Sequence, residues 1–391
     1  MNRTGRVAVG LLVLAAAAGC GPQEGKPSAA GREKPSAEEV IRIGFAAPLT
    51  GPQSHYGKEM QNGVVLAIEA LNAGKPVIGG RPARFELVSE DDQADPKQGT
   101  GVAQRLVDAG IRGMLGHFNS GTSIPASKIY AEHGIPQIAM ATAPAYTRNG
   151  YRTAFRAMTN DVQQGGVMGR FAVEKLGAKR VAIVDDRTAY GQGLADEFEK
   201  AVRAAGAQVV RREYTSDKAT DFMAILTSIK AAAPDVVFFG GADAQAGPMA
   251  RQIRQLGLPA TLMGGEMVKS PNFIQLAGEA AEGTVASLAG LPLAQMPGGK
   301  DYAARYEARF KEEVQVYSPY AYDAAKVMAA AMMRAGSSEP AAYLPELART
   351  QAAGVTSANI AYDERGDLRE GTITVYRVEG GAWKVVEAVG R

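Results

Sequence analysis

Short β-branched runs alternate with amphipathic helical patterns along the chain from Val40 to about residue 290. The predicted strands cover residues 41–47, 84–89, 113–115, 137–140, 181–185, 208–212, 235–239, 261–263 and 283–287. The predicted helices lie near residues 57–73, 96–109, 122–132, 163–176, 191–204, 220–232, 244–256 and 270–277. Strands that alternate with helices tend to pair in parallel and to be covered on both faces. The pattern therefore predicts the doubly wound α/β class of fold.

A weak internal repeat divides this alternating region into two halves. In the first half, a strand ending at Gly116 leads through polar residues into a helix and then into the turn Gly134-Ile-Pro136. In the second half, a strand ending at Gly240 leads in the same way into the turn Gly257-Leu-Pro259. Coincidence is the rival interpretation, because these elements often follow one another in α/β proteins. A true duplication predicts two lobes whose strand ends face a common cleft, where ligands bind in open α/β sheets.

The last third of the chain departs from this alternation. Helices are predicted near residues 300–313, 319–336 and 341–350, and a turn-rich stretch follows at Asp363–Asp367. Residues 372–377 and 383–387 then alternate apolar and polar side chains on either side of Gly380-Gly381. This is the pattern of a β-hairpin, so these residues are predicted to form a pair of antiparallel strands.

The N-terminal residues have the pattern of an export signal. Two arginines precede the apolar run Val7–Ala18, which is too short to cross a bilayer as a permanent helix. The residues that follow, up to Cys20, resemble a bacterial lipobox, in which the cysteine is lipidated and becomes the new N-terminus. Residues 1–19 are therefore predicted to be a lipoprotein signal peptide, and residues 20–39 a disordered tether. The alternative is an ordinary secretory leader with an incidental cysteine, and both interpretations predict export to the periplasm or cell surface.

Composition argues against nucleic-acid binding and against stabilisation by disulfide bonds. The chain carries 43 Lys and Arg residues against 41 Asp and Glu residues, and loss of Arg3 and Arg6 with the leader makes the two counts equal. Nucleic-acid binding is therefore not expected, because that affinity rests mainly on neutralising phosphates. Cys20 is the single cysteine, so no internal disulfide is available and stability depends on core burial. A length of 391 residues favours two domains over one.

The sequence lacks the residue patterns that common enzyme classes require. Its 3 histidines are His55, His117 and His133. A hydrolase of the α/β type needs a histidine far downstream of its nucleophile, and no histidine follows His133. No Gly-x-Ser-x-Gly motif is present, and no spacing of His, Cys or acidic residues matches a metal site. We therefore predict a protein that is not an enzyme and that needs no metal or cofactor.

Two other motifs have simpler structural interpretations. The acidic residues before Asp95 are interpreted as a strand end, with Asp95 as a helix N-cap and Pro96 at the first helical position. Gly191-Gln-Gly193 opens a predicted helix, but Asp196 occupies the last position of the dinucleotide fingerprint. A carboxylate there would face the pyrophosphate, so dinucleotide binding is not predicted.

Three polar residues stand where predicted strands pass into helices. Ser120 lies next to the helix predicted near residue 122, and the free N–H groups of that first turn can receive a carboxylate, unless Ser120 is only an N-cap. Thr142 ends a strand of small residues, and Glu266 directly follows two glycines that let a ligand approach closely. An anion receptor opposite a single carboxylate predicts a site for a zwitterion, bound by its carboxylate on one lobe and its ammonium group on the other.

Seven segments of the chain occur in an order and spacing that are typical of one family. They are Ile43–Pro52 with Tyr56-Gly57, Asp91–Gln98, Gly116–Ser127, Ala141–Pro144, Ile183–Ala195, Met263–Glu266 and Tyr362–Leu368. From about residue 41 to residue 386, the chain resembles the leucine/isoleucine/valine-binding proteins of bacterial ABC importers, which are type I periplasmic binding proteins. The resemblance implies two three-layer α/β/α lobes joined by three hinge crossings.

The resemblance also implies an architecture and a mode of action. The N-terminal lobe is expected to comprise residues 40–160 and 290–370, and the C-terminal lobe residues 161–289 and 371–391. The crossings are expected near Thr159–Asp161, Leu288–Leu291 and Glu370–Thr372. The implied protein is a monomer that closes about these hinges on an apolar amino acid and delivers it to ABC permease subunits. It is expected to contact the membrane directly only through the lipid on Cys20.

The resemblance assigns roles to individual residues as well. Ser120 matches the serine that binds the ligand carboxylate, Thr142 the threonine that contacts both ends of the amino-acid group, and Glu266 the acidic residue that receives the ammonium group. The other members of the implied site are Tyr190 at the mouth, Tyr56 and Tyr317 as aromatic walls, Phe118 and Asn119 on the same wall, and Met140 or Ala141 as a backbone contact.

Ala242 departs from the family pattern, which commonly places an aromatic residue at this position. One contact to the ammonium group is therefore missing, or is supplied by Asp243, or the pocket is widened for a larger ligand. One alternative is thus the same fold binding an amide, a urea-like compound or an aromatic compound. Glu266 disfavours simple carboxylic acids, because a buried carboxylate without a partner is costly. Another alternative is a ligand sensor, and nothing in the sequence separates sensing from import.

Overall fold

The computed structural model describes residues 38–390 of the chain. Cys20 and almost all of the predicted tether lie outside these residues. Within residues 38–390, none of the helices has both the length and the hydropathy needed to cross a membrane.

The first sheet is formed by strands from residues 39–156. These strands are β1 (Glu39–Ala47), β2 (Val77–Ile78), β3 (Arg81–Asp91), β4 (Gly113–Gly116), β5 (Gln137–Ala139) and β6 (Ala154–Arg156). Their order across the sheet is β2-β3-β1-β4-β5-β6, and every pairing is parallel except that between β2 and β3. The connecting α-helices are α1 (Ser54–Ala73), α2 (Pro96–Asp108) and α3 (Ser120–Glu132).

The second sheet begins with five parallel strands from residues 180–288. These strands are β7 (Arg180–Asp185), β8 (Gln208–Tyr214), β9 (Val236–Gly240), β10 (Thr261–Gly264) and β11 (Val285–Leu288). The accompanying helices are α4 (Asp161–Arg170), which continues as a π-helical turn at Phe171–Lys175, α5 (Ala189–Ala204), α6 (Met223–Ala231), α7 (Asp243–Gln255) and α8 (Pro271–Ala277).

The remaining helices and strands cover or extend the two sheets. They are α9 (Gly299–Phe310), α10 (Ser318–Ala335), α11 (Pro340–Ala348), β12 (Gln351–Ala352), β13 (Ile360–Ala361), β14 (Thr372–Glu379) and β15 (Ala382–Gly390). Helix α10 packs against α1 and β4, so it covers the first sheet. Strands β12 and β13 pair with each other, whereas β14 and β15 extend the second sheet in antiparallel pairing to give the order β15-β14-β11-β10-β9-β7-β8.

The structure contains each predicted strand and helix, with ends displaced by a few residues. The main shift that concerns the site is in α3, which begins at Ser120 and not near residue 122. Strands β2, β6, β12 and β13 were not predicted, because each has only two or three residues and cannot carry an alternating pattern. Two sheets of mainly parallel strands, each covered by helices, confirm the doubly wound α/β class.

Local chemistry at element ends agrees with the sequence. Asp95 caps α2, since its side chain accepts a hydrogen bond from the Gln98 N–H at 2.8 Å. Gly380 and Gly381 form the turn between β14 and β15, with φ angles of 61° and 74°. This left-handed backbone favours glycine, and the predicted hairpin is therefore confirmed.

The chain passes between the two sheets at three places, which lie after β6, after β11 and before β14. We call the first sheet with its covering helices the first lobe, and the second sheet with its helices the second lobe. The predicted lobe boundaries after residues 160, 289 and 370 fall within these connections. The assignment of each boundary to a particular residue stays a prediction.

The central strands of the second sheet are apolar on both faces. Every residue of Val181–Val184 and of Val236–Phe239 is buried. Phe238 stacks on Phe198 of α5, with ring centroids 3.8 Å apart. Because helices cover this sheet on both sides, its central strands lack the alternation of a sheet with one solvent-facing side. The carboxyl edge of the sheet is thus a firmly packed support for the residues that follow it.

A buried ion pair supports the ends of the strands in the first lobe. Arg156 on β6 donates from Nε to Oδ1 of Asp367 at 2.8 Å, and both side chains are buried. The guanidinium group also donates to the carbonyl oxygens of Ala141 and Ala143. Asn160, the cap of α4, donates to the other oxygen of Asp367 at 3.1 Å. Burial opposes the ionisation of Asp367, but the Arg156 charge and these hydrogen bonds outweigh it and lower the pKa of the carboxyl group.

Substitution Asp367→Asn should lower the free energy of unfolding by about 3–5 kcal/mol, because the Arg156 charge stays buried without a counter-ion. Urea denaturation followed by circular dichroism measures the change. Glu69→Gln, which breaks an exposed pair with Arg309, is the control and should have little effect. Similar losses in the two variants would contradict the special role of the buried pair.

Candidate ligand-binding site

Ser120 lies in the first turn of α3, a few residues beyond the end of β4. The side chain is buried, and its Oγ accepts a hydrogen bond from the Ala143 N–H at 3.2 Å. The N-cap position belongs to Asn119, whose side chain makes no capping hydrogen bond, so Ser120 is not the cap of this helix. The first N–H groups of a helix lack partners within it and carry partial positive charge. The structure thus places Ser120 in the first turn of α3, and its predicted role as an anion receptor stays a prediction.

Thr142 follows β5 in a buried segment that also contains Met140 and Ala141. Its hydroxyl group is buried beside Asp161 and Glu266 and makes no hydrogen bond of ordinary geometry to any residue that the structure describes. Its carbonyl oxygen accepts a hydrogen bond from the Asp161 N–H at 2.9 Å, which holds the start of α4 against this segment. A contact between the Thr142 side chain and a ligand stays a prediction.

Glu266 follows β10 and is buried in the second lobe. Its Oε2 accepts a hydrogen bond from the Tyr190 hydroxyl at 2.9 Å. A Cβ atom at Gly265 would lie 2.3 Å from that hydroxyl, so the close approach of Tyr190 requires glycine at this position. Burial raises the pKa of Glu266, because removal from water disfavours the charged form of the carboxyl group.

Asp161 is a second buried carboxyl group at this site and was not among the predicted site residues. It begins α4, directly after the first connection between the lobes. Its Oδ1 accepts a hydrogen bond from Gln164 at 3.1 Å, whereas Oδ2 has no partner within the described part of the chain. Burial, together with the nearby charge of Glu266, raises the pKa of Asp161 to about 8. The available sequence signal was an Asn-Asp pair at the start of the helix that leaves a predicted hinge crossing.

Asp161 and Glu266 occupy one polar region between the lobes. Thr142 and Gln164 lie beside both carboxyl groups and favour their charged forms, but this does not outweigh the cost of burial. The raised pKa of Asp161 favours its protonated form when no ligand is present. A cation placed between the two groups favours the ionisation of both. Two buried carboxyl groups therefore lie close together in this region.

Three aromatic rings form a wall next to these polar groups. The ring centroids of Tyr56 and Tyr317 lie 5.4 Å apart, and those of Phe118 and Tyr317 lie 4.8 Å apart. The Tyr56 hydroxyl donates to the carbonyl oxygen of Met267 in the second lobe at 2.6 Å. The Tyr317 hydroxyl is buried and has no partner among residues 38–390. The wall is therefore apolar on its ring faces and keeps one free hydroxyl group.

Asn119 and Asp243 belong to opposite lobes and are partly engaged by other side chains. Asn119 donates from Nδ2 to Oε1 of Gln53 at 2.7 Å. Asp243 accepts from the Ser270 hydroxyl at 2.6 Å through Oδ2, and the same oxygen lies 2.9 Å from Nε2 of His55. The other oxygen of Asp243 has no partner within the described residues. A contact between Asp243 and a ligand ammonium group stays a prediction.

A cavity of about 460 Å³ lies between the lobes beside these residues. Its walls include Gln53, Asn119 and Gly121 of the first lobe and Asp186, Thr188, Tyr190, Asp217, Ala242 and Met267 of the second lobe. Asn119 and Tyr190 are also predicted site residues, so the cavity adjoins the predicted site. The small side chain of Ala242 forms part of its wall.

His117 is buried behind the aromatic wall, where both of its ring nitrogens have side-chain partners. Its Nδ1 lies 2.7 Å from Oδ2 of Asp92, and its Nε2 lies 3.1 Å from the hydroxyl of Tyr130. Both ring nitrogens are thus engaged, and the next residue in the chain is Phe118 of the wall. Within residues 38–390, no group of three or more His, Cys, Asp or Glu side chains is arranged to hold a metal ion.

Comparison with known families identifies the family to which the chain belongs. The model of the Periplasmic binding protein family matches residues 40–382, which is most of the chain. The chain therefore belongs to the periplasmic binding proteins, and the resemblance drawn from the seven sequence segments is confirmed. Binding without chemical change of the ligand is the general activity of this family.

Curated relatives are similar over nearly their full length. The chain is 35% identical over 343 residues to the "Leucine-, isoleucine-, valine-, threonine-, and alanine-binding protein" of Pseudomonas aeruginosa, covering 87% of this chain and 90% of the relative. It is 34% identical over 349 residues to "Leu/Ile/Val-binding protein homolog 1" of Brucella melitensis, covering 89% of this chain and 92% of the relative. Leucine, isoleucine and valine binding is thus common to the names of both relatives.

Solved structures show the same two-lobed fold. A leucine binding protein from Thermotoga maritima superposes with a TM-score of 0.83 at 28% identity, over 90% of this chain and 99% of that chain. An isoleucine complex of a branched-chain amino acid substrate binding protein from Streptococcus pneumoniae gives a TM-score of 0.80 at 25% identity, again over 90% and 99% of the two chains. A benzoate complex of a solute binding protein from R. palustris, at 20% identity and a TM-score of 0.79, shares the fold alone; it covers 89% of this chain and 96% of that chain.

Substitution Asp161→Asn should reduce the loss of stability that the ligand-free protein shows as pH rises. The folded pKa of Asp161 is raised, so its stabilising contribution is fully present below the unfolded pKa of about 4 and is lost as pH rises through about 8. Melting temperatures at pH 5 and pH 8 measure this loss in the wild type and the variant. The exposed Asp301→Asn variant is the control and should behave as the wild type. An equal loss in all three proteins would show that Asp161 is not held in its protonated form.

Proposed function

We propose that this protein binds a branched-chain or other apolar amino acid between its lobes and delivers it unchanged to the permease of an ABC importer. The observation that carries the proposal is the pair of buried carboxyl groups, Asp161 and Glu266, beside the buried hydroxyl of Thr142. Ser120 contacts the residue after Thr142 and supplies the anion receptor. An amino acid carries its ammonium and carboxylate groups on one carbon, which matches two receptors that meet at Thr142.

The polar contacts provide affinity for the amino-acid group. Hydrogen bonds between charged partners contribute about 1.5–3 kcal/mol each when water is excluded. The ammonium group is assigned to Glu266 and Asp161, and the carboxylate to Ser120 and the first N–H groups of α3. Thr142 is placed to contact both ends. Each of these side chains is buried, so the contacts are made away from bulk water.

The aromatic wall of Tyr56, Phe118 and Tyr317 selects an apolar side chain in this proposal. Burial of apolar surface contributes about 25 cal/mol per Å². Leucine, isoleucine and valine appear in the names of the relatives from Pseudomonas aeruginosa and Brucella melitensis, and threonine and alanine in the first of them. These names support an aliphatic amino acid of small or medium size as the ligand.

Hinge closure is the proposed mechanism of capture. Residues of both lobes meet in the cleft, as the hydrogen bond from Tyr56 to Met267 illustrates. A ligand that contacts Ser120 in one lobe and Glu266 in the other stabilises the closed form over the open one. The closed monomer then docks on the permease, and no chemical step is required.

Substitution Glu266→Ala should weaken the binding of L-leucine more than tenfold while the fold stays intact, because the ammonium group loses a charged partner. Isothermal titration calorimetry measures the affinity, and circular dichroism checks the fold. Glu307→Ala, at an exposed position on α9, is the matched control and should bind as the wild type does.

Unchanged leucine affinity in the Glu266→Ala variant would remove Glu266 from the site. A thermal-shift screen of amino acids and amides identifies the preferred ligand, since a tight ligand raises the melting temperature by mass action. If no amino acid raises the melting temperature or compacts the protein in solution scattering, the proposed function is wrong.

We also propose that the protein is exported and held at the membrane by a lipid on Cys20, which lies outside the described residues. The support is the lipobox-like segment up to Cys20 and the membership of a periplasmic family. Cys20→Ala should abolish incorporation of labelled palmitate and release the protein into the soluble fraction. Ser28→Ala, in the predicted tether, is the control and should retain both the label and the membrane association. Retention of the label by the Cys20→Ala variant would contradict the anchor.

One observation favours a second ligand class. The cavity of about 460 Å³ has Asn119, Tyr190 and Ala242 in its wall, so it extends the cleft next to the proposed site and could hold part of a larger ligand. An amide, a urea-like compound or an aromatic compound is therefore the second candidate, and the same thermal-shift screen separates it from leucine. A sensory role is the other alternative to import. Neighbouring permease and ATPase genes would favour import, whereas a histidine kinase or chemoreceptor gene would favour sensing.

A further inference from the structure

His55 and Asp243 meet across the cleft. His55 lies in the first turn of α1 in the first lobe, and Asp243 begins α7 in the second lobe. Nε2 of His55 is 2.9 Å from Oδ2 of Asp243, with side-chain exposures of 23% and 0%. The two residues are thus close enough to share a proton-dependent hydrogen bond between lobes.

The second lobe holds Asp243 ready for this contact. The Ser270 hydroxyl donates to the same Oδ2 at 2.6 Å, and the Asp243 N–H donates to the carbonyl oxygen of Met267 at 2.9 Å. Asp243 also stands at the N-terminus of α7, where the helix dipole stabilises a negative charge. The carboxylate is therefore fixed by its own lobe, and His55 is the partner that arrives from the other lobe.

We propose that His55 and Asp243 form an inter-lobe clasp, which stabilises the closed form and makes ligand affinity depend on pH. The proposal rests on the proposed function, in which closure accompanies binding. A contact that exists only in the closed form raises the apparent affinity by its contribution to the closing equilibrium, even if it never touches the ligand. His55 and Asp243 are therefore positioning residues for closure.

The sign of the pH effect follows from the charges. Histidine changes charge between about pH 5 and pH 8, and the protonated ring donates a charge-assisted hydrogen bond to a carboxylate. The clasp is strongest when His55 is protonated, and it weakens to a neutral hydrogen bond as pH rises. Leucine binding through the clasp should therefore be tighter at low pH and should be accompanied by proton uptake at His55.

The charged groups near the clasp leave Asp243 as the partner of His55. On α1 itself, Lys58 is exposed, and the Glu59 carboxylate accepts hydrogen bonds from backbone N–H groups of residues 315–318. Tyr56, also on α1, and Tyr317, directly before α10, lie near Asp243, and burial raises the pKa of both hydroxyl groups well above its ordinary value. Both tyrosines therefore stay uncharged throughout the relevant pH range.

Three other groups near the cleft contribute to its charge or titration. Lys269 lies next to Ser270 in the chain and contacts the Tyr376 ring, and burial lowers its pKa. Burial raises the pKa of Asp186, on the cavity wall, to about 6. Asp161 has a pKa of about 8, as described above. All three are retained when only His55 is replaced, so the difference between wild type and a His55 variant isolates the clasp.

The test compares His55→Gln with the wild type, because glutamine can hydrogen-bond to Asp243 without carrying charge. His133→Gln is the matched control, since His133 is an exposed histidine at the end of α3. Calorimetry with L-leucine at pH 5.5 and pH 8 measures the affinities. At pH 5.5, His55→Gln should bind about three- to fivefold more weakly than the wild type, whereas at pH 8 the two should differ less. The His133→Gln variant should follow the wild type at both pH values.

Two further measurements separate the clasp from a general structural effect. Titrations in buffers of different ionisation enthalpy should show that the wild type takes up more protons on binding than His55→Gln does. In an Asp243→Asn background, His55→Gln should no longer change the pH dependence, because the charged acceptor is already gone. Equal affinities and equal proton uptake in wild type and His55→Gln would overturn the clasp.

A ligand-free measurement distinguishes failure of the clasp from failure of the proposed function. Spin labels are placed at two exposed positions, Lys128 on the first lobe and Lys200 on the second lobe. The distance between the labels reports how far apart the lobes are, and the full chain carries the substitution Cys20→Ser. The wild type should contain a larger closed fraction at pH 5.5 than at pH 8, and His55→Gln should lose this difference. If the wild type binds no amino acid, the proposed function is wrong, and identical distance distributions in both proteins then overturn the clasp as well.

Discussion

The site depends on the cost of burying two carboxyl groups in one cleft. Glu266 of the second lobe and Asp161 at the start of α4 are both removed from water, and burial raises the pKa of each. Tyr190 and Gln164 donate hydrogen bonds to them, but no full positive charge is among these partners. In the proposed function, the ammonium group of the ligand relieves this cost when it enters the cleft.

The fold places these groups by a small number of connections. Ser120 and Glu266 each lie beyond the carboxyl end of a strand, which is where parallel sheets collect their ligand-binding residues. Asp161 is brought to the same region by the first connection between lobes, and the Thr142 carbonyl oxygen holds it there. Arg156 and Asp367 support this arrangement from behind, because Arg156 binds the carbonyl oxygens on either side of Thr142. The Arg156 charge also acts on Asp161 and favours its ionised form, although it does not outweigh the cost of burial.

Much of this arrangement could be predicted from local patterns. The strand–helix alternation predicted the α/β class, and the polar residues at strand ends predicted Ser120, Thr142 and Glu266 as site residues. Asp161 could not be predicted in this way, since an acidic residue at a helix start is usually explained by the helix dipole. Its role became apparent only from its burial and from the proximity of Glu266. The short strands β2, β6, β12 and β13 escaped prediction because tertiary contacts, and not periodicity, form them.

The fold class, the order of the elements, the family and the positions of polar residues at strand ends all follow from local patterns in the sequence. These properties depend on periodicity and on neighbours along the chain, so they can be inferred without coordinates. The pairs of charged groups that meet are apparent only after folding: Asp161 with Glu266, Arg156 with Asp367, and His55 with Asp243. These partners are far apart in the sequence, and their pairing depends on how two sheets and three connections bring them together. Burial then sets the free-energy cost of ionising each group, and burial is a property of the whole fold.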